Sequence, residues 1–506
     1  MKPVLTPAES AALDRASAER GVTVDSLMER AGRAVARAAV EVAGGAYGRR
    51  AVVVCGKGNN GGDGLVAARY LSRWGMLAVA VLLADADVYR DAAATSLDRA
   101  RRAGVPVRGA DGLRRELDRA DVAIDGIVGT GFRGAPEGLV AEAVDAVAGT
   151  PAPVVAVDIA SGVDGTTGAV AGVAVHATVT VTFGSLKPGH LLQPGARHAG
   201  VVEVADIGFP PDLVASDLWL VERADVAAML PRRDPDSHKR SSGIVLVVGG
   251  SRTMTGAVRL MAGAAYRAGA GLVQVAVPEE IVPVVQTELT EATFLPLPQT
   301  SEGTVSEAAM DVLRDRLQDV DAVAVGPGLS RNDDTLAFVR GLVEATPVPA
   351  VVDADGLTAF AGRVDELAKI DAADLVLTPH AGEFARLTGA DVGADRVASV
   401  RSLASESGAT VLLKGNPTLV AQPGGRVHVN ATGGPVLATG GTGDVLTGVI
   451  AALLARGLAP ADAAWAGADV HGLAGDLAGA RLGEGATSLD VRDHVPAAVL
   501  ALRGAG

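Results

Sequence analysis

The chain has 506 residues, with 45 Lys+Arg against 59 Asp+Glu and a formal net charge of −14. At roughly 150 residues per domain this length allows two or three domains, each large enough to bury a core. The acidic balance excludes a binder of nucleic-acid backbones or of anionic membranes, both of which need a basic face, and 48% hydrophobic residues exclude a largely disordered chain.

Aromatic residues make up 3% and glycines number 64, so the core must be mostly Ala, Val and Leu. The lone cysteine, Cys55, excludes an intrachain disulfide and fits a reducing compartment. The first 21 residues carry no apolar signal-peptide core, and no uncharged apolar run reaches the ~18 residues that span a bilayer. A cytoplasmic protein is expected.

Along the chain, Thr6, Pro7 and Glu9 read as a capping box that opens a first helix, with Gly21 as its stop. A second helix follows Asp25, with Leu27, Met28, Ala31, Val35, Ala38 and Val42 at helical spacing. Then the period changes. Short apolar strands are expected at 51–55, 78–83, 121–127, 154–159, 177–183 and 201–207, with helices near 62–74, 91–103 and 137–148. Strands buried on both faces and alternating with helices predict a parallel sheet. The stretch 209–242 is rich in Pro and charge, which places a domain boundary near 215–235. A second series follows: strands at 243–248, 272–277, 321–326, 349–353, 374–378 and 409–413, and a hairpin at 417–421 and 426–430. Its helices fit 256–268, 333–345, 394–407, 443–456 and 461–480.

The first site candidate is the loop Gly56-Lys57-Gly58-Asn59-Asn60-Gly61-Gly62-Asp63-Gly64, between a strand and a helix. Glycines let backbone N–H groups approach a phosphate, and the helix start adds positive potential. Asp125, with Gly126 beside it, and Asp158, followed by Ser161 and Gly162, stand at two further strand ends. Asn60, Asp125 and Ser161 offer oxygen donors that suit a hard cation.

This segment resembles the NAD(P)H-hydrate epimerase family over about residues 1–215, most specifically through the GNNGGDG run. The resemblance implies a Rossmann-like three-layer sandwich that interconverts the R and S hydrates of NADH and NADPH. It implies hydrate contacts from Asn59, Asn60, Gly61, Gly62 and Asp63, and from Gly129, Thr130, Gly131, Phe132, Arg133, Gly134 and Ala135. Asn60, Asp125 and Ser161 would hold K⁺, and Asp158 would be the acid–base group. Ala160 stands where the family usually has Pro.

In the second half, Gly440-Gly441-Thr442-Gly443-Asp444 opens a helix. Glycines before a helix N-terminus form an anion hole for a phosphoryl group in flight, and the Asp can serve as general base. Thr255-Gly256-Ala257, Gly326-Pro327-Gly328, Pro379-His380-Ala381-Gly382-Glu383 and Lys414-Gly415-Asn416-Pro417-Thr418 lie at other strand ends. Asp353 and Asp355 read equally as turn caps or as phosphate or metal contacts. Together these runs resemble the ADP-dependent NAD(P)H-hydrate dehydratase family over about 225–502. That implies a ribokinase-like α/β domain in which Ala257, Gly328, His380 and Asp444 contact the S hydrate. Lys414 to Thr418 and Gly443 would contact the adenine nucleotide, with Mg²⁺ on its phosphates and Asp444 catalytic. Ala431 stands where that family tends to have Pro.

The combined expectation is a bifunctional enzyme that repairs hydrated NADH and NADPH, giving AMP and phosphate from ADP. The alternative is a ribokinase-like small-molecule kinase with a non-catalytic N-terminal nucleotide-binding or interaction module. The expected partners are small molecules. A homo-oligomer is also expected, with the Ala-rich helix 461–480 as a subunit contact.

Overall fold

The structure, a computed structural model, describes residues 1–370 and 374–504. The chain divides into two compact units, Lys2–Asp217 and Leu218–Gly506.

In the first unit Thr6 caps the helix Pro7–Glu19 through the capping box with Glu9. The next helix, Val24–Val42, is capped by Thr23 and begins one residue before Asp25. Seven parallel strands form one sheet in the spatial order Val107–Gly109, Leu77–Leu82, Arg50–Cys55, Val122–Gly126, Val154–Val157, Val179–Phe183 and Val201–Ala205. In sequence order that is 3-2-1-4-5-6-7, the doubly wound arrangement. Its crevice lies where the order reverses, beyond Arg50–Cys55 and Val122–Gly126. The strand Arg50–Cys55 shows why both faces are covered. Val53 and Cys55 pack with helices Val24–Val42 and Asn59–Arg73, whereas Val52 and Val54 pack with Leu113–Leu117 and Gly138–Ala148. The result is three layers. Cys55 lies wholly in the core, and burial pushes its thiol far above the usual range.

The second unit repeats this winding from Ile244–Val248, with Thr293–Leu297, Leu272–Pro278, Ile244–Val248, Ala322–Val325, Ala350–Val352, Leu375–Leu377 and Thr410–Leu413 in parallel. An antiparallel hairpin, Thr418–Ala421 and Val427–Asn430, extends the sheet, and Leu218–Leu220 pairs parallel with its outer strand. Val245 and Val247 share a core with helices Thr255–Arg267, Thr442–Ala455, Pro460–Leu482 and Ser488–Gly504. The alanines expected at a subunit contact, from Ala461 to Ala478, are instead buried inside this core. No helix among the described residues is long and apolar enough to cross a membrane.

Candidate functional sites

The N-terminal site lies at the crevice. The helix Asn59–Arg73 begins inside the glycine loop, three residues before the expected start, with Gly58 at its N-cap and no capping side chain. Its first N–H groups are therefore free for a ligand. Two glycines make this approach possible. A Cβ on Gly56 would stand 1.9 Å from the Ile127 carbonyl oxygen, and one on Gly61 would stand 1.8 Å from that of Gly56.

A cavity of about 990 Å³ opens beside this turn. Of the expected hydrate contacts, Asn59, Asn60, Asp63, Gly129, Thr130, Gly131, Phe132 and Asp158 line it. Gly61 and Gly62 are buried in the helix turn behind. Arg133, Gly134 and Ala135 lie outside the lining. Arg133 is tied to its own loop through Thr130 O, Phe132 O and Thr166 Oγ1.

Asp158 sits at φ 61°, a conformation costly for a residue with a Cβ and common where a site is held under constraint. Its Oδ1 accepts from Lys187 Nζ at 2.6 Å and from Thr182 Oγ1 at 2.8 Å. Burial alone would raise its pKa. The Lys187 ammonium overrides burial and holds the carboxyl below its ordinary value. Asp63 behaves oppositely: burial, reinforced by the charges of Asp158 and Asp14, pushes it well above the carboxylate range. His190 lies behind, with Nε2 2.8 Å from the Asp158 carbonyl oxygen; burial and Lys187 lower it to about 4, so it is neutral. One cavity thus holds two carboxyls whose surroundings push their pKa values apart, the usual signature of an acid–base pair.

Asn60, Asp125 and Ser161 also meet. Ser161 donates from Oγ to Asp125 Oδ1 (2.6 Å) and from N to Oδ2 (2.8 Å), and Asn60 Nδ2 donates to Val128 O at 3.0 Å. Asp125 is fully buried with no cationic side chain paired to it among the described residues, and burial raises it to about 6. A buried carboxylate ringed by neutral oxygens fits a monovalent cation.

The C-terminal site lies beyond the carboxyl ends of the parallel strands, from the order reversal beside Ala322–Val325 out to Thr410–Leu413. The helix Thr442–Ala455 starts after Gly441, which takes φ 88°, and carries Asp444 in its first turn. Burial, then the charge of Asp353, raises Asp444 to about 7, with Glu383 and Asp355 adding to the effect against Lys414. Lys414 Nζ donates to Asp353 Oδ1 at 2.7 Å and stands 3.4 Å from Glu383 Oε2. Thr447 Oγ1 donates to Asp353 Oδ2 at 2.8 Å. Ala354, between the two aspartates, takes φ 51°. Gly328 packs against Ala257, where an added Cβ would lie 3.2 Å from the Ala257 Cβ.

His380 caps the helix Ala381–Thr388: its Nδ1 accepts from Gly382 N at 2.9 Å, and Nε2 lies 3.4 Å from Glu383 Oε1. The loop from Lys414 to Thr418 wraps Arg396, which donates to Asn416 O and Pro417 O at 3.3 and 3.0 Å, and Thr418 Oγ1 donates to Gly415 O.

Comparison with known proteins decides the family. A model of the NAD(P)H-hydrate dehydratase family matches residues 245–497, and one described as YjeF-related protein N-terminus matches residues 24–189. The bifunctional NAD(P)H-hydrate repair enzyme Nnr of Moorella thermoacetica is 43% identical, covering 97% of this chain and 96% of the relative. The chain belongs to the bifunctional NAD(P)H-hydrate repair enzyme family. Another member, the Nnr of Thermofilum pendens, is 42% identical over 97% of this chain and 95% of its own length. Among solved structures, the ADP/ATP-dependent NAD(P)H-hydrate dehydratase of Bacillus subtilis, co-crystallised with ATP and Mg²⁺, is 28% identical. It covers 57% of this chain and 100% of that one, with a TM-score of 0.47.

Several groups of this repair-enzyme chain escaped the sequence reading. Thr182, in the next strand, and Lys187 and His190, just beyond it, assemble around Asp158. Thr447 donates to Oδ2 of Asp353, whose Oδ1 holds Lys414. His471 is buried in the Ala-rich helix Pro460–Leu482 and held neutral by burial at about 4. A histidine in an alanine run was a usable signal; a lysine 29 residues from its aspartate was not.

Proposed function

We propose that this chain repairs hydrated NADH and NADPH, its N-terminal unit interconverting the R and S hydrates and its C-terminal unit dehydrating the S hydrate at the expense of ADP. The observation that carries this reading is Asp444. It is a carboxyl raised to about 7 at a glycine-preceded helix N-terminus, next to a buried Lys–Asp pair. A base of that pKa is matched to a hydroxyl at neutral pH. Asp444 takes the proton of the substrate hydroxyl as its oxygen attacks the β-phosphorus of ADP, and AMP leaves. The 440–443 amides and Lys414 stabilise the transferred phosphoryl group. Phosphate then departs with the C–O electron pair, a proton leaves the neighbouring carbon, and the ring double bond re-forms. A ribokinase-like kinase would stop at the phosphorylated product; relatives matched over nearly their whole length favour the repair reading.

Mg²⁺ would enter on the nucleotide and supply charge neutralisation to its phosphates. Both Asp353 oxygens are already engaged by Lys414 and Thr447, and no group of three His, Cys, Asp or Glu side chains among the described residues is arranged for a metal.

In the N-terminal unit, Asp63 gives its proton to the departing hydroxyl and water leaves a planar cationic ring. Water then adds to the opposite face and yields a proton to Asp158. K⁺, held by Asn60, Asp125 and Ser161, would supply the positive charge that Asp125 lacks. Following each epimer chromatographically with ADP, Mg²⁺ and K⁺ tests the reading: both should disappear, and a persisting R hydrate would refute the N-terminal assignment.

A further inference from the structure

The C-terminal unit has a second cavity, of about 690 Å³, that neither activity uses. Five arginines line it: Arg232, Arg233, Arg267, Arg456 and Arg503. In a chain of net charge −14 such a concentration of guanidinium groups is unusual.

The simplest explanation is helix capping. Arg267 ends the helix Thr255–Arg267, Arg456 is the C-cap of Thr442–Ala455, and Arg503 lies in the last turn of Ser488–Gly504. Each helix end carries only about half a negative charge. Three ends therefore offset roughly one and a half of five positive charges. Carboxylates of the described residues do not supply the rest. Among the described residues the one ion pair is Arg267 with Asp493, at 3.7 Å between half-exposed side chains. Three of the others, Arg233, Arg456 and Arg503, are held by neutral carbonyls. Arg456 and Arg503 both donate to Pro231 O, at 2.9 and 2.6 Å, and Arg233 donates to Gly269 O at 3.1 Å. Arg503 Nε is buried with no hydrogen-bond partner. Burial, with the charges of Arg503 and Arg233 adding to it, pushes the Arg456 pKa below its ordinary value.

We propose that this cavity is a binding site for a pyrophosphate group. Guanidinium forks pair bidentately with phosphate oxygens, and several converging forks match two linked phosphates better than a single small anion. Arg503 Nε is a donor such a ligand would satisfy. The site is separate from Asp444, which begins the same 14-residue helix that Arg456 closes, about 20 Å away at 1.5 Å per residue. The group can arrive free or as part of a nucleoside diphosphate, and the wall at Leu500, 68% exposed, leaves room for the latter.

The test is calorimetric titration of the full chain with inorganic pyrophosphate, and separately with ADP, against the double variant Arg232→Gln/Arg267→Gln. Neither side chain donates to the backbone, both are exposed, and an unchanged Tm verifies folding. We expect pyrophosphate to bind the wild-type chain and to bind the variant at least tenfold more weakly, while S-hydrate dehydration at saturating ADP is unchanged. A second ADP binding event lost in the variant assigns the site to nucleotides; a loss for pyrophosphate alone assigns it to the free anion. Absence of pyrophosphate binding, or equal affinity in both chains, overturns the proposal.

Discussion

Asp444 and Asp158 are both aspartates at glycine-rich turns, yet their surroundings drive them in opposite directions. Asp444 is raised to about 7 by burial and by Asp353, and Asp158 is held low by Lys187. If Asp444 is the base of dehydration, Asp444→Asn should lower that rate by about 10²–10⁴-fold, the usual worth of a general base, and leave epimerisation intact. The pH dependence has a defined sign. The working form is the carboxylate, so kcat/KM for dehydration should fall on the acid side with a midpoint near 7. A profile flat from pH 5 to 8 would exclude Asp444 as the titrating base. Both aspartates were legible because each stands next to a glycine-rich motif. Lys187 and Thr447 were not, because they act on partners 29 and 94 residues distant, and only the fold closes those gaps. His380 was read as a substrate contact. In the structure its Nδ1 caps a helix, leaving Nε2 beside Glu383 as the end available to a ligand.

Elements follow the same logic. The apolar runs located the central strands because strands buried on both faces leave continuous Val and Ala, and the 333–345 helix matches its expected limits. Several elements escaped, and three show why. Thr293–Leu297 lies at the sheet edge with only Leu297 fully buried, so it lacks the apolar run of a central strand. Ala381–Thr388 is eight residues long and hidden behind the Pro-His-x-Gly-Glu turn. Ser488–Gly504 contains Pro496, which reads as a helix breaker. The glycine turn is the element most sensitive to change. Gly56→Ala and Gly61→Ala each force a Cβ into a backbone carbonyl below 2 Å. Either should abolish R-to-S conversion and lower the Tm, while S-hydrate dehydration, located in the other unit, survives in whatever protein stays folded.

At the scale of the whole molecule, two doubly wound sheets each place their candidate ligand loops beyond the carboxyl ends of parallel strands. Neither proposed site relies on a basic face. In the proposed function helix starts, glycine amides and a few buried cations would do the binding, which would let an acidic chain accommodate anionic substrates. K⁺ over Na⁺ should raise the Tm of the N-terminal transition and the epimerisation rate, and Asp125→Asn should remove both effects; equal responses to the two ions would refute the cation site. The decisive measurement follows both epimers at once. The wild-type chain, given mixed R and S hydrates with ADP, Mg²⁺ and K⁺, should consume both and release AMP and phosphate with recovery of nicotinamide absorbance. Asp158→Asn should consume only the S hydrate. Accumulation of a stable phosphorylated product, or R-hydrate consumption undiminished in Asp158→Asn, would contradict the division of labour proposed for the two units.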